Sequence, residues 1–439
     1  MADSELAPAA ASAPGDVAAA ASAPGDVAVA APAVPGRRRD PRAAFALLRL
    51  RNYRLLWSGL LISHVGSWMQ FTALGYLIDD LTRAPVYLGL LGLVQAVPRL
   101  LFAFLGGVAA DRLDRRMVLL VTNAALMASA TLLGVLAVTG RIQVWHVLVI
   151  GAFNSFANSF DMPARQSMVP SLVGERHLMA AVSLNSMAFN GSGIIGPSIG
   201  GVVIATVGVA GCFFANALTY IAVLAALLRM QVPPRQSQAR ESVGQDIREG
   251  LALLVRHRHV LAVLGLVAVV SFFGRPYIRL MPAMAREVLG VGPQGLGVLQ
   301  AAPGIGTVLA VFAIGALGDA PRGRLLLRAG AAMGTLVVLV ALSRWFLLSV
   351  ALLVTVGTAQ AVALAAANTV LQTTVRPEQR GRIMGLYGMV TFGMFALGTL
   401  PLGALAGAIG VGAALALGGA VVVAVAGLVA LGAPQVARL

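Results

Sequence analysis

Long apolar runs, each closed by a short polar break, follow one another from residue 55 almost to the C-terminus. One helical crossing of a bilayer needs roughly 20 such residues. Twelve runs qualify, starting near Leu55, Val86, Met117, Val144, Ala180, Ala210, Val260, Gln294, Leu325, Phe346, Ile383 and Val411. Each is apolar throughout rather than alternating, which predicts membrane helices and not the strands of a barrel.

Composition agrees with that pattern. Of 439 residues, 58% are hydrophobic and 11% charged, and the mean hydropathy is +0.86. These values exclude an ordinary soluble enzyme. The net charge of +15 invites a nucleic-acid reading until its distribution is sorted. There is no lysine, and 25 of the 32 arginines fall before the first span, after spans two, four, eight and ten, in the central loop or at the C-terminus. The alternate loops hold Arg83, Arg141, Arg286 and Arg344. Such a bias predicts both termini in the cytoplasm, with the basic excess serving topology and attraction to membrane lipid rather than nucleic acid. Cys212 is the single cysteine, so no disulfide framework is expected.

Residues 1–44 form an Ala/Pro/Gly-rich tail in which a ten-residue unit occurs at 9–18 and again at 19–28. Its composition predicts a disordered cytoplasmic segment, and without a basic n-region it does not read as a signal peptide. Residues 230–258 are the longest later polar interval, with Pro233–Pro234 and an amphipathic stretch from Val243 to Arg256. They read as a cytoplasmic linker between two six-helix bundles, 45–229 and 259–432, followed by a cytoplasmic end at 433–439. The halves echo each other: Gly107-x-x-x-Asp111 recurs as Gly315-x-x-x-Asp319, and Gln166-x-x-Val169 as Gln372-x-x-Val375. Parallel repeats of six spans are a signature of two-domain transporters.

Polar groups within spans are costly in lipid and are therefore functional candidates. Helical spacing places His64, Ser67, Trp68 and Phe71 on one face of span one, and Asn154, Asn158 and Asp161 on one face of span four. It does the same for Ser271, Arg275 and Arg279 in span seven, and for Gln360, Asn368 and Gln372 in span ten. Arg99 lies roughly 18 Å along its helix from Asp111, near mid-membrane. Two readings of the span arginines compete. Arg275 pairs with Asp79 or Asp80 at the outer mouth, or Arg99 and Arg275 present positive charge to an anionic substrate.

Several motifs together resemble a known family. They are Gly66-Ser-Trp-Met-Gln70, the turn Gly107-Val-Ala-Ala-Asp111-Arg112-Leu-Asp-Arg115-Arg116, Asp161-Met-Pro-Ala-Arg165, Gly196-Pro197-Ser-Ile-Gly200-Gly201 and Arg380-Gly-Arg382. Over roughly residues 45–430 the chain is similar to the major facilitator superfamily. Within that superfamily it resembles the drug/proton antiporter branch that includes enterobactin-exporter-like and Tap-like efflux proteins. Two departures stand out: Asp114 where the family often has glycine, and Ser192 where glycine is usual.

The resemblance implies an all-α membrane protein of the major facilitator fold, with 12 helices in two pseudo-symmetric six-helix bundles and spans one, four, seven and ten around a central cavity. It implies that Gly107, Asp111, Arg112, Arg115 and Arg116 form an inner-gate latch against the start of span eleven, with Arg115 or Arg116 pairing to Asp161. The plain alternative is a topological anchor. Gly196, Pro197, Gly200 and Gly201 would kink or seal span five, or simply pack it. The cavity candidates are His64, Ser67, Trp68, Phe71, Arg99, Asn154, Asn158, Ser271, Arg275, Gln360 and Asn368. Proton coupling, usual in the resembled branch, has His64, Asp161, Asp79 and Asp80 as carriers.

The expectation is a monomeric, multi-pass secondary transporter of a bacterial cytoplasmic membrane, exporting a small amphipathic drug- or siderophore-like compound in exchange for protons. Uptake or exchange of an organic anion is the alternative, and a non-transporting membrane sensor a lesser one. No nucleophile–base pair, metal-ligand cluster or phosphate-binding Gly-rich loop is legible, so no enzyme, cofactor or metal is expected.

Overall fold

The computed structural model describes residues 45–230, 258–316, 318 and 320–438. The N-terminal tail, nearly all of the central linker with Val243–Arg256, and Asp319 lie outside the described residues. What is described is almost wholly helical. Six helices precede the linker: α1 (Arg51–Thr82), α2 (Pro85–Arg112), α3 (Arg115–Val138), α4 (Val144–Val173), α5 (Leu178–Val207) and α6 (Val209–Arg229). After it comes α7, a broken helix over His259–Val288. It is followed by α8 (Pro293–Ala316), α9 (Arg322–Leu342), α10 (Phe346–Thr374), α11 (Arg380–Ile409) and α12 (Val411–Gly432). Each begins within four residues of the apolar onset read from the sequence.

Ten of these segments are long and apolar enough to cross a membrane. The other two, α1 and α4, are longer than most, with 32 and 30 residues, but interrupt their apolar runs with polar side chains. Both turn those side chains toward protein: Gln70 of α1 bonds Asn216 of α6, and Asp161 of α4 bonds α3.

Local chemistry sets the joints. Asp114 caps α3, its carboxylate accepting from the backbone N–H groups of Arg116 and Met117 at 2.7 and 3.2 Å. The departure from glycine at this position thus supplies an N-cap that satisfies two orphan amides. Gly208 and Gly410 each form a one-residue joint, between α5 and α6 and between α11 and α12, with φ of +88° and +90°. Only glycine takes that backbone without strain.

Helices α1 to α6 pack among themselves, chiefly α2 on α4, α1 on α5 and α6, and α6 on α3. Helices α8 to α12 form a second set in which α9 packs on α10 and α12, and α8 on α10, with α7 against α11 and α12. Two long seams join the sets, α2 with α11 and α5 with α8. Each seam is built on facing glycines. A Cβ on Gly89 would lie 3.2 Å from Gly403 Cα, and one on Gly201 would lie 3.1 Å from Gly297 Cα. Gly89 and Gly297 are repeats of one another, 208 residues apart. Lipid offers no hydrophobic drive for helices to associate, so close backbone approach through small residues does the work.

Both glycine contacts lie toward one face of the bundle, the face of Asp79, Gly208 and Gly410. Toward the opposite, arginine-rich face the glycines are less crowded: a Cβ added at Gly107, Gly315, Gly381 or Gly385 would meet nothing within 4 Å among the described residues. Below α9 the chain end folds back. Val436 is buried and the Ala437 carbonyl accepts from Arg324 at 3.4 Å, so residues 433–439 include a docked turn and not only a free end.

Candidate functional site

The closed face is held by a ladder between α1 and α7. These helices run side by side there, so residues near 207 apart in sequence become neighbours. At the top, Arg286 donates to both oxygens of Asp79, at 2.6 and 2.9 Å, and also to Glu287 at 2.9 Å. Asp79 is buried, while the Arg286 side chain is 30% exposed. Two turns of Gly75 and Pro282 follow in close contact, a Cβ at Gly75 lying 3.1 Å from the proline ring. Below them the guanidinium of Arg279 sits 4.6 Å from the centre of the Phe71 ring, and donates to Gln95 of α2 at 2.9 Å. From the neighbouring face of α1, Thr72 donates to Gln300 of α8 at 2.6 Å.

Beneath this ladder the aromatic face of α1 meets α5. Trp68 lies edge-on to Phe71 at 5.6 Å and tilted against Phe189 at 6.0 Å, and His64 meets Phe189 edge-on at 5.4 Å. Gly196 allows this packing, because a Cβ there would overlap the Trp68 side chain. The glycine–proline motif of α5 is therefore a contact surface. Gly196 and Gly200 receive α1, and Gly201 receives α8, within a helix unbroken from Leu178 to Val207.

Helix α7 changes character where it enters this region. Two π-helical turns, Val270–Gly274 and Met284–Val288, bracket its middle piece Tyr277–Ala283. Such turns interrupt regular bonding and occur often at functional places. Arg275 lies just after the first. It is buried, donates to the Thr391 carbonyl of α11 at 3.2 Å and lies 5.0 Å from the Phe395 ring. Ser271, one turn earlier, is also buried.

The sequence-derived set is thus divided. His64, Trp68 and Phe71 converge, and Ser67 is half-buried beside them. Arg99 is elsewhere, its Nη2 3.6 Å from Met162 Sδ of α4. Asn154 accepts from Ser129 of α3 at 2.5 Å, and Asn158 is exposed. Gln360 is buried in α10, and Asn368 accepts from Gln372 of its own helix at 2.7 Å. Asp80 is exposed beside Arg83.

Two pairings read from the sequence are replaced. Asp161 does not take Arg115 or Arg116 as its partner here. It is buried, accepts from Thr122 at 2.9 Å and Asn123 at 2.6 Å, and forms an ion pair with Arg165 at 2.5 Å. Arg115 donates to the Ser167 and Ala110 carbonyls, and Arg116 to those of Leu227 and Leu228. The basic turn is tied to α4 and α6 of its own set; Asp111 stands in the last turn of α2 and Arg112 is exposed. Nor does Arg275 pair with Asp79, which belongs to Arg286. The sequence reading assigned Arg286 to an outer loop. Its separation from Asp79, 207 residues, matches the repeat offset and was the available signal.

Among the described residues, no group of three or more His, Cys, Asp or Glu is placed to hold a metal ion. The site offers cations, amides and ring faces lying between two helix sets, an arrangement suited to gripping and releasing a molecule.

Comparison with known proteins bears on the family and the fold. The chain is 27% identical over 262 residues to an uncharacterized MFS-type transporter, YfiS, of Bacillus subtilis (strain 168), covering 58% of this chain and 61% of that protein. It therefore spans about three fifths of that relative's length. Against the enterobactin exporter EntS of Escherichia coli O1:K1 / APEC it is 27% identical over 357 residues, covering 80% of this chain and 85% of the exporter. The crystal structure of the nucleoside transporter NupG shares the fold, with a TM-score of 0.67 at 14% identity over 86% of this chain and 97% of that one. The description of one family, transmembrane secretion effector, matches residues 42–436. With that match over nearly all the helices described above, the chain belongs to the transmembrane secretion effector family of MFS-type transporters.

Proposed function

We propose that this protein is a secondary active exporter working by alternating access, with its arginine-rich face in the cytoplasm of a bacterial cell and its Asp79 face outside. One observation carries the reading. The glycine seams and the Asp79–Arg286 pair close one face, while on the other a Cβ added at Gly107, Gly315, Gly381 or Gly385 would meet nothing within 4 Å among the described residues. That is one half of a rocking cycle between the bundles 45–229 and 259–432. In the other half, the Gly107–Arg116 turn meets the start of α11 and shuts the cytoplasmic side. Cargo sits between α1, α2, α5 and α7, around His64, Trp68, Phe71 and Arg279.

The cargo is a small amphipathic compound, in keeping with the aromatic lining and with the relative named as an enterobactin exporter. Protons drive its exit. Of the carrier candidates, Asp161 is held by three donors, Asp79 is held at both oxygens by Arg286 and Asp80 lies exposed beside Arg83, which favours His64 within the aromatic face. The test is uptake into inverted membrane vesicles with an acid interior, using a panel of siderophore-like and macrolide compounds. Accumulation that a protonophore abolishes is expected. Accumulation confined to right-side-out vesicles would replace export by uptake.

A further inference from the structure

We infer that Asn216 of α6 is a positioning residue that acts through Gln70: the amide pair sets the rotation of α1, so that His64, Trp68 and Phe71 form the cargo face. This rests on reading that aromatic face as the cargo site. Gln70 and Asn216 are both buried, and Asn216 Nδ2 donates to Gln70 Oε1 at 2.6 Å. Asn216 Oδ1 in turn accepts from Thr219 at 3.1 Å. One turn before Gln70, Gly66 leaves the room that Asn216 fills. A Cβ there would lie 2.5 Å from Asn216 Oδ1 and 2.6 Å from Thr219 Oγ1. Two turns earlier, a Cβ at Gly59 would lie 3.3 Å from Val223 Cα of the same helix. Gly59, Gly66 and Gln70 thus make one stripe against α6. At about 100° per residue, Gly66 lies roughly 160° round the helix from His64 and roughly 140° from Phe71. Helix α6 therefore grips α1 from behind its aromatic face.

The second half of the chain shows what the amides are not needed for. At the repeat offset of 208 residues, Gly66, Gln70 and Asn216 correspond to Gly274, Ile278 and Ala424. There the joint is apolar: a Cβ at Gly274 would meet Met333 of α9 at 3.1 Å and Val422 of α12 at 3.3 Å. Cohesion at this joint therefore requires no polar pair. The helix without the pair, α7, passes through a π-helical turn ending at Gly274, whereas α1 is regular from Arg51 to Thr82.

Energetics points the same way. Hydrogen bonds between helices in lipid stabilise only modestly, because separated helices find other partners. A buried polar pair adds register instead. Its members satisfy each other in one rotation of α1, and in neighbouring rotations each is left buried without its partner. The rotation matters at the aromatic face. Trp68 packs on α5 where Gly193 and Gly196 leave space, and the Phe71 ring lies 4.6 Å from the Arg279 guanidinium. A turn of α1 by one residue would move both rings off these contacts.

The experiment separates register from cohesion. The full chain in lipid nanodiscs keeps Trp68 as its single tryptophan, with Trp57, Trp145 and Trp345 replaced by phenylalanine. Gln70→Met should lower the melting temperature and shift the Trp68 emission to longer wavelength, since Asn216 loses its acceptor and the indole leaves its packed place. The double variant Gln70→Met with Asn216→Leu removes both polar groups at similar volume. It should melt like the parent chain but keep the shifted emission. A merely cohesive pair would have both restored together. If the double variant does not fold, Gln70→Glu decides, because it keeps an acceptor facing Asn216 and should retain the parent emission where Gln70→Met does not. Parent-like emission in the double variant, or equal emission in Gln70→Met and Gln70→Glu, overturns the inference. Erythromycin uptake by inverted vesicles supplies the transport readout. With the other tryptophans restored, the double variant should raise KM about tenfold, the scale of one lost ring contact, and leave the maximal rate within about twofold. A native KM beside shifted emission overturns the link from rotation to cargo. Native vesicles that take up no erythromycin while the emission shifts count against export of this compound and leave the register standing; unshifted emission beside vigorous uptake removes the register alone.

Discussion

Arg286 holds Asp79 by both carboxylate oxygens, at 2.6 and 2.9 Å, and so ties the last turns of α1 and α7 together across the two helix sets. In the proposed cycle the pair exists only while this face is closed. Removing one partner of a buried pair costs about 3–5 kcal/mol, and the partial exposure of Arg286 reduces that to about 1–2 kcal/mol here. Arg286→Gln should therefore shift the population toward the opposite opening by about tenfold. A cysteine placed at Leu88, beneath the pair, reports this through maleimide labelling from the Asp79 side. The native Cys212 is buried and contributes little background. The exchange of Asp79→Arg with Arg286→Asp should restore protection.

The seam glycines and the turn glycine should respond in opposite ways to the same substitution. Alanine in a helix ordinarily gains up to about 1 kcal/mol over glycine. At Gly297 the new Cβ would overlap the Pro197 carbonyl and come within 3.1 Å of Gly201 Cα. Overpacking of this kind costs about 1–3 kcal/mol, so sterics win and Gly297→Ala should lower the melting temperature. At Gly107 an added Cβ would meet nothing within 4 Å among the described residues, and Gly107→Ala should leave melting unchanged or slightly raised. Its transport rate should nevertheless fall if, as proposed, the turn closes on α11 in the other half of the cycle. Equal melting of the two variants would contradict the seam.

Asp161 should behave as a structural anchor between α3 and α4. Asp161→Asn leaves Arg165, 16% exposed, without its carboxylate and loosens the bonds from Thr122 and Asn123. A loss of about 3–5 kcal/mol is expected. Asp161→Asn combined with Arg165→Gln should recover most of it, as read from thermal melting in detergent. A singly substituted protein that melts like the native one, yet no longer answers a pH gradient, would make Asp161 a proton carrier instead.

His64 is expected to carry the coupling. His64→Gln keeps a polar side chain of similar reach but has no ring nitrogen that can take up a proton. In inverted vesicles it should abolish accumulation driven by a pH gradient while preserving counterflow of cargo at equal pH. Asp80→Asn should change neither, since that carboxylate is exposed at the rim beside Arg83. Retained gradient-driven accumulation in His64→Gln would move the coupling elsewhere.

The helix positions were legible along the chain because lipid imposes one demand, a continuous apolar run, that each segment meets by itself. The repeat was legible for a similar reason: Gly107 and Gly315, or Gln166 and Gln372, keep their spacing whatever the chain does in three dimensions. The aromatic face of α1 also followed from helical spacing, since His64, Trp68 and Phe71 lie on one stripe of one helix. Partner choice did not follow. Asp161 is four residues from Arg165 and faces Thr122 and Asn123, while Arg115 and Arg116, nearer the start of the same α3, donate to backbone carbonyls instead. Which arginine meets Asp79 depends on α7 lying alongside α1, and that register selects Arg286 over Arg275. Which face of the bundle is shut depends on how the halves are tilted, a relation between two rigid bodies that no local pattern encodes. Sequence alone therefore determined the spans, their repeat and the polar stripes, because each is a property of a single helix in lipid; the ion pairs, the glycine seams and the closed face were decided by tertiary structure, because each needs two helices from distant parts of the chain to share one surface.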